Sequence, residues 1–119
     1  IMTVVVGVYI SLSFKNGQSR DTLRMADINT LYHALAIYQT SHSNFPISER
    51  PTLLNGSDAI STTLIQNDSL ESGVKDPLHP TYYYSYSTDK TGGDFTLTFC
   101  LEGNSIPGYN AGCTNQLKP

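Results

Sequence analysis

The chain has 119 residues, of which 39% are hydrophobic and none is Trp, and its formal net charge is −3. This length predicts one small domain, and the lack of a basic block argues against an electrostatic nucleic-acid binder. No GxSxG, HExxH, P-loop or dinucleotide-binding motif occurs, and the three histidines (His33, His42 and His79) are scattered. We therefore expect neither an enzyme nor a bound cofactor or metal.

The first fourteen residues, IMTVVVGVYISLSF, form an uncharged and largely apolar run. The run is shorter than the roughly 20 residues that span a bilayer. It also lacks the basic flank and cleavage site of a secretory signal. We expect residues 1–18 to form an apolar half-helix that is buried in lipid or among copies of the chain. Residues 19–119 are expected to form a globular head. The residues expected in this buried contact are Ile1, Val4, Val5, Val6, Val8, Ile10, Leu12 and Phe14.

An amphipathic helix is predicted to follow, with Ser19 as its N-cap and Arg20 as its first residue. It should end near Ser41, because turn-forming residues and Pro46 follow. Its apolar positions recur at helical spacing and form one stripe: Ile28, Leu31, Leu35 and Tyr38.

The charged residues Asp21, Arg24 and Asp27 are three positions apart on this helix. Residues at this spacing are neighbours on a helix surface, so we expect ion pairing there. The sequence alone places these residues on the solvated side.

A short second helix is predicted after the loop 47–56. Ser57 or Asp58 can cap it, and it should run to Gln66 with Ile60 and Leu64 facing inward. Another loop is expected from residue 70 to residue 80.

A β-hairpin is predicted next, because the apolar pattern changes to a period of two. The first strand contains Tyr82, Tyr84 and Tyr86, and the second has a core face of Phe95, Leu97, Phe99 and Leu101. We expect Phe95, Leu97 and Phe99 to pack on the helix stripe, which gives an α+β fold. Asp89 and Asp94 flank the turn and leave a loop calcium site as an alternative, although their spacing matches no EF-hand. Little regular structure is expected from residue 103 to residue 119.

The only two cysteines, Cys100 and Cys113, are separated by twelve residues in a Gly- and Asn-rich stretch. A disulfide is favoured, because no third Cys or His cluster offers a metal site. Two free thiols are the alternative. Cys100 should lie on the strand face opposite Phe99 and Leu101.

Together these features resemble bacterial type IV pilins and the related type II secretion pseudopilins. The resemblance rests on the apolar run, the Ser-Arg-Asp-x-x-Arg-x-x-Asp-Ile motif, the Phe45-Pro46 end of the helix, Lys75-Asp76-Pro77 before the Tyr strand, and the C-terminal Cys pair. It implies a lollipop fold, with a long N-terminal helix packed on a small antiparallel sheet and a C-terminal disulfide-closed loop between Cys100 and Cys113. Where the family has an N-methylated aromatic and a Glu at its fifth position, this sequence has Ile1 and Val5.

The resemblance implies a structural subunit of an extracellular filament that serves adhesion, motility or DNA uptake. Its expected partners are further copies of the chain, the pilus assembly machinery, and the inner membrane before assembly. One alternative is a pseudopilin in a short periplasmic filament, whose major type usually carries a calcium loop rather than the Cys pair. Another is a membrane-anchored binding module with the Tyr strand as its ligand face.

Overall fold

The computed structural model describes residues 16–119. One long helix, α1 (Gly17–His42), lies against a four-stranded antiparallel sheet, and a short helix, α2 (Ala59–Gln66), lies beside it. The strands are β1 (Thr52–Leu53), β2 (Tyr84–Thr88), β3 (Phe95–Leu101) and β4 (Gly112–Leu117). Their order in the sheet is β1-β2-β3-β4. The predicted α+β class and long N-terminal helix are therefore confirmed, as is the disulfide described below. The residues expected in the filament core, 1–14, lie outside the described part.

Helix α1 starts earlier than the sequence predicts. Asn16, not Ser19, is the N-cap, and its side-chain oxygen accepts a hydrogen bond from the Ser19 backbone N–H at 2.8 Å. Both residue types can cap a helix, and the earlier cap adds most of a turn. The helix ends at His42 with Ser43 in the left-handed conformation.

The core is formed between α1 and the inner face of the sheet. The side chains predicted to pack there meet in one cluster, which α2 closes at the side with Ile60 and Leu64. Asp58 caps α2, as one of the two candidates predicted. The predicted packing residues in this cluster are Ile28, Leu31, Leu35, Phe95, Leu97 and Phe99, with Tyr38 partly buried against them.

Two strands lie where the sequence predicts irregular structure. Strand β1 occupies the predicted loop 47–56, and β4 occupies the predicted irregular stretch 103–119. The sequence of β4, GCTNQL, has no alternation of apolar and polar residues, so its strand character depends on pairing with β3. The register pairs Leu97 with Leu117 and Phe99 with Asn115, and it shifts between Phe99 and Leu101.

Cys100 and Cys113 form the predicted disulfide, which joins β3 to β4. Cys100 is fully buried, although it alternates with Phe99 and Leu101 along the strand and is absent from the main core cluster. The region around the bond is thus more ordered than a loop: Ile106 and Tyr109 pack against the core, and the Tyr109 ring meets Phe99 edge-on at 5.1 Å.

The tip of the β2–β3 hairpin touches the segment after α1. The Phe45 backbone N–H donates to the Gly92 carbonyl at 2.8 Å. Gly92 has a φ of +70°, and a Cβ there would lie 2.6 Å from the Phe45 carbonyl oxygen. Only glycine fits this left-handed and crowded position.

Candidate functional site

The start of α1 is fixed to the head by a group of charged side chains that we call the Arg24 cluster: Arg20, Asp21, Arg24, Asp76 and Glu102. Arg24 is at its centre and is fully buried. Its Nε donates to Asp76 Oδ2 at 2.7 Å, and its Nη2 donates to Asp76 Oδ1 at 3.0 Å. This two-point geometry suits a planar guanidinium and a carboxylate.

The third nitrogen of Arg24 joins two more carboxylates. Nη1 donates to Asp21 Oδ1 at 2.8 Å and to Glu102 Oε2 at 2.7 Å. Arg20 closes the group from the solvent side, with its Nη2 donating to Glu102 Oε1 at 2.6 Å. The Tyr82 ring covers Arg24, whose guanidinium carbon lies 4.9 Å from the ring centre, a distance typical of a cation–π contact.

The carboxylates are held by backbone groups as well. Asp21 accepts hydrogen bonds from the backbone N–H groups of Glu102 and Gly103, at 2.9 and 3.0 Å. Asp76 accepts from the Leu78 backbone N–H at 2.8 Å, which fixes its side chain in a turn. Two turns of α1, the end of β3 and the loop at residue 76 are therefore tied together at one place.

The sequence-based placement of Asp21 and Arg24 on the solvated side is wrong. Their i,i+3 pairing is present, but both side chains are buried. Their other partners lie far along the chain, and these partners supply the charges and hydrogen bonds that make burial of an arginine tolerable.

The pKa values follow from these contacts. Burial alone would lower the pKa of Arg24, but its hydrogen bonds to Asp76, Glu102 and Asp21 outweigh that effect and raise it. Hydrogen bonds from Arg20 and Arg24 lower the pKa of Glu102 to about 2. Arg24 and Glu102 are thus both charged at neutral pH.

Asp27 lies one helical turn further along α1 and binds a strand residue. Its Oδ2 accepts a hydrogen bond from the Tyr84 hydroxyl at 2.8 Å. Burial raises the pKa of Asp27, and burial together with the nearby Asp27 charge raises that of Tyr84. Asp27 thus continues the polar connection between α1 and the sheet.

The Arg24 cluster is suited to holding elements together rather than to catalysis. Its carboxylates are occupied by guanidinium and backbone donors, and no Ser, Cys or His nucleophile belongs to it. Within residues 16–119, no group of three or more His, Cys, Asp or Glu side chains could hold a metal ion. His33 is exposed, and His42 stacks on Tyr38 with a ring separation of 3.9 Å.

A second surface to consider is the side of α1 that faces away from the sheet. Between Ile28 and Ser48 the sequence contains no Asp, Glu, Lys or Arg. Five residues on this side are exposed: Asn29, Thr30, His33, Ile37 and Thr40. Ile37 is 51% exposed. We call these five residues the outer α1 face. Helix faces that remain in water carry charged or polar residues, and the exception on this uncharged polar face is the exposed Ile37.

Among the described helices, none combines the length and the apolar character needed to cross a bilayer. Comparison of the chain with protein-family models, with characterised proteins and with solved structures finds no significant match.

Sequence reasoning missed Glu102 as a member of the cluster, and nothing near it in the sequence indicates its role. Asp76 stands out in the sequence only as part of Lys75-Asp76-Pro77. The sequence signal for this cluster is the three-residue spacing between the acidic Asp21 and the basic Arg24. It lies on a helix whose other inward residues form an apolar stripe.

Proposed function

We propose that the chain is the structural subunit of an extracellular filament of the type IV pilus kind, used in adhesion, motility or DNA uptake. In this proposal residues 19–119 form the head of a pilin lollipop, and residues 1–18 are the apolar half-helix buried at the filament's centre. Before assembly the subunit is held in the inner membrane by that segment, and its partners are the pilus assembly machinery and other copies of itself.

The observation that carries this proposal is the uncharged outer α1 face. Its 51% exposed Ile37 and its neutral polar neighbours lie on the same helix that follows the uncharged run 1–14. The exposed Ile37 contributes nothing to the stability of a monomer in water, whereas copies packed side by side around an axis would bury it.

The Arg24 cluster gives a second, independent support. It fixes the first two turns of α1 to β3 and to the loop at Asp76. Residue 16, where the described chain begins, directly precedes these turns. A force applied through the N-terminal segment would therefore be passed to the whole sheet rather than to an isolated helix end.

The pseudopilin alternative is less favoured. The Cys100–Cys113 bond is present, and it matches the pilin pattern rather than a calcium loop. Within the described residues, the Asp89–Asp94 turn provides only two carboxylates, which is few for calcium.

The membrane-anchored binding module with a Tyr-strand ligand face is also disfavoured. Tyr84 and Tyr86 are fully buried, and Tyr82 covers Arg24. Tyr84 and Tyr86 belong to the core and are not accessible to a ligand, which removes most of the Tyr side chains that this alternative would use.

The outer α1 face can be tested with one charge. Ile37→Glu should leave the head folded, because this side chain projects into solvent, yet it should prevent the chain from sedimenting as filaments. The matched control is Thr62→Glu, an exposed position on α2. Circular dichroism would check folding, and sedimentation with negative-stain microscopy would check assembly. Normal filaments from Ile37→Glu, or equal loss of filaments in both variants, would contradict the proposed role of this face.

A further inference from the structure

The turn before α2 contains Asn55-Gly56, one of the two Asn-Gly pairs in the sequence, and the other pair is Asn16-Gly17. In such a pair the backbone nitrogen of the glycine can attack the side-chain amide carbon of the asparagine and close a five-membered ring. Glycine permits this attack because it has no Cβ to obstruct it and reaches backbone conformations that other residues avoid. Both pairs can therefore be modified without an enzyme, and their surroundings in the fold distinguish them.

The hydrogen bond at the Asn55 side chain favours the attack. Asn55 is exposed, and its Oδ1 accepts from the Ser57 backbone N–H at 2.8 Å. A bond to the residue two positions further along folds the side chain back over the Gly56 peptide unit. The same donor polarises the amide and stabilises the negative charge that develops on Oδ1 as the ring closes.

The attacking and leaving groups of this pair are both unrestrained. Among residues 16–119, neither the Gly56 backbone N–H nor the Asn55 side-chain NH2 has a hydrogen-bond partner. Loss of a proton from the first and of ammonia from the second therefore breaks no hydrogen bond. Gly56 has a φ of +87° and precedes the first residue of α2, so no helix or strand has to open before the ring can close.

Asn16 is held differently, because it is the N-cap of α1. Its Oδ1 accepts from the Ser19 backbone N–H at 2.8 Å, and its backbone is extended. Gly17 is the first residue of the helix, and a Cβ there would lie 3.3 Å from the Glu102 side chain. Ring closure at Asn16 has to remove the side chain from its cap and move the first turn of the helix, and loss of an N-cap destabilises a helix.

We propose that Asn55 is a self-modifying residue, which this turn converts to aspartate and isoaspartate. The Gly56 nitrogen bonds to Asn55 Cγ and loses its proton, the Cγ–Nδ2 bond breaks, and ammonia leaves. Water then opens the ring. Breaking the new Cγ–N bond gives aspartate, and breaking the original backbone C–N bond gives isoaspartate, in which the main chain runs through Cγ. The reaction needs only this chain and water, so it does not depend on filament assembly.

The two products should differ in their effect on α2. Each places a new carboxylate beside Asp58, the N-cap of α2, to which the Asn55 backbone N–H donates at 3.1 Å. Isoaspartate also adds a carbon to the main chain. Gly56 cannot shift freely to absorb that carbon, because a Cβ on Gly73 would lie 2.1 Å from the Gly56 carbonyl oxygen. The isoaspartate form should therefore lose the cap of α2, whereas the aspartate form keeps it.

The test is peptide mapping by mass spectrometry of the full chain, in mild detergent, after storage in warm, mildly alkaline buffer. Each conversion replaces NH2 with OH, a mass gain that the measurement resolves, and electron-transfer fragmentation distinguishes isoaspartate from aspartate. Asn55 should convert about fivefold faster than Asn16, the factor that corresponds to loss of one N-cap. In urea the two rates should become similar, because both pairs then lack structure.

Two variants isolate the cause. Asn55→Gln keeps an amide but would have to close a larger and less favourable ring, so this position should stay unmodified. Asn55→Asp carries the charge without the longer main chain, so amide exchange in α2 should match that of fresh wild type, whereas stored wild type should exchange faster there. The proposal is overturned if Asn55 stays intact in the folded chain while it converts in urea, or if Asn16 converts as fast as Asn55. It is also overturned if Asn55→Gln gains mass at this position at the wild-type rate.

Discussion

Arg24 and Asp76 form a two-point ion pair in which neither side chain is exposed, although 52 residues separate them in the sequence. Asp76 is itself held by the Leu78 N–H, and Arg24 also reaches Asp21 and Glu102. The pair therefore joins α1 to a loop that has no regular secondary structure of its own. It determines where the first half of α1 lies on the head.

Removing the guanidinium should destabilise the head strongly. Arg24→Met leaves buried carboxylates without their partner, and breaking a buried pair typically costs about 3–5 kcal/mol. Urea unfolding would measure this loss, with Arg50→Met at an exposed position as the control. The double variant Arg24→Met/Asp76→Leu should recover part of the stability, because one unpaired carboxylate is removed with its partner. An Arg24→Met chain within about 0.5 kcal/mol of wild type would contradict this assignment.

Acid should lower the stability that the Arg24 cluster gives to the head, within a defined pH range. The pKa of Glu102 is about 2 in the folded chain, against an ordinary value of 4.5. The unfolded chain therefore takes up this proton first as the pH falls, so the stability from Glu102 is complete above 4.5 and is lost towards 2. Glu102→Gln should lower stability at neutral pH and flatten its pH dependence inside that window.

The measurement for Glu102 is urea unfolding at a series of pH values, with Glu71→Gln as the exposed control. Wild type and Glu71→Gln should lose stability in parallel as the pH falls. If Glu102→Gln follows the same slope as these two, the ion pairs with Arg20 and Arg24 do not lower the pKa of Glu102 as described.

The Cys100–Cys113 bond should stabilise the C-terminal region without being needed for α1 or the β2–β3 hairpin. It links residues thirteen apart, and a loop of this size contributes about 3 kcal/mol in the chain-entropy model. Reduction should lower the melting temperature and speed amide exchange in β4, while exchange in α1 and β2 stays slow. Mass spectrometry of the non-reduced protein comes first, since two alkylatable thiols would show that the bond does not form.

Removing residues 1–14 should separate folding from assembly. The described head has its own core and its own ion pairs, so the shortened chain is expected to remain folded and monomeric in solution. Analytical ultracentrifugation and circular dichroism would show both properties. Filaments formed by the shortened chain would refute the proposed role of the N-terminal run.

The elements that could be predicted from the sequence are those defined by their own local pattern. Strand β3 alternates Phe95, Leu97 and Phe99 with polar residues, and α2 has Asp58 before an apolar pair one turn apart. The stripe of α1 is also local. Each of these patterns depends on residues that are neighbours within one helix or strand.

The features that could not be predicted depend on distant partners. Burial of Arg24 requires Asp76 and Glu102, which lie 52 and 78 residues away. Strand β4 has no alternation of its own and is defined by β3 and the disulfide. Asn16 and Ser19 are both good caps, so the choice between them depends on contacts made by the first turn, such as Arg20 with Glu102.

The central claim, that this chain builds filaments, is tested most directly by negative-stain electron microscopy of material sheared from cells that carry it. The sheared fraction should be identified by mass spectrometry. The account predicts long thin fibres in which this chain is the principal protein, with Cys100 and Cys113 joined. A sheared fraction without fibres, or fibres that lack this chain, would contradict it.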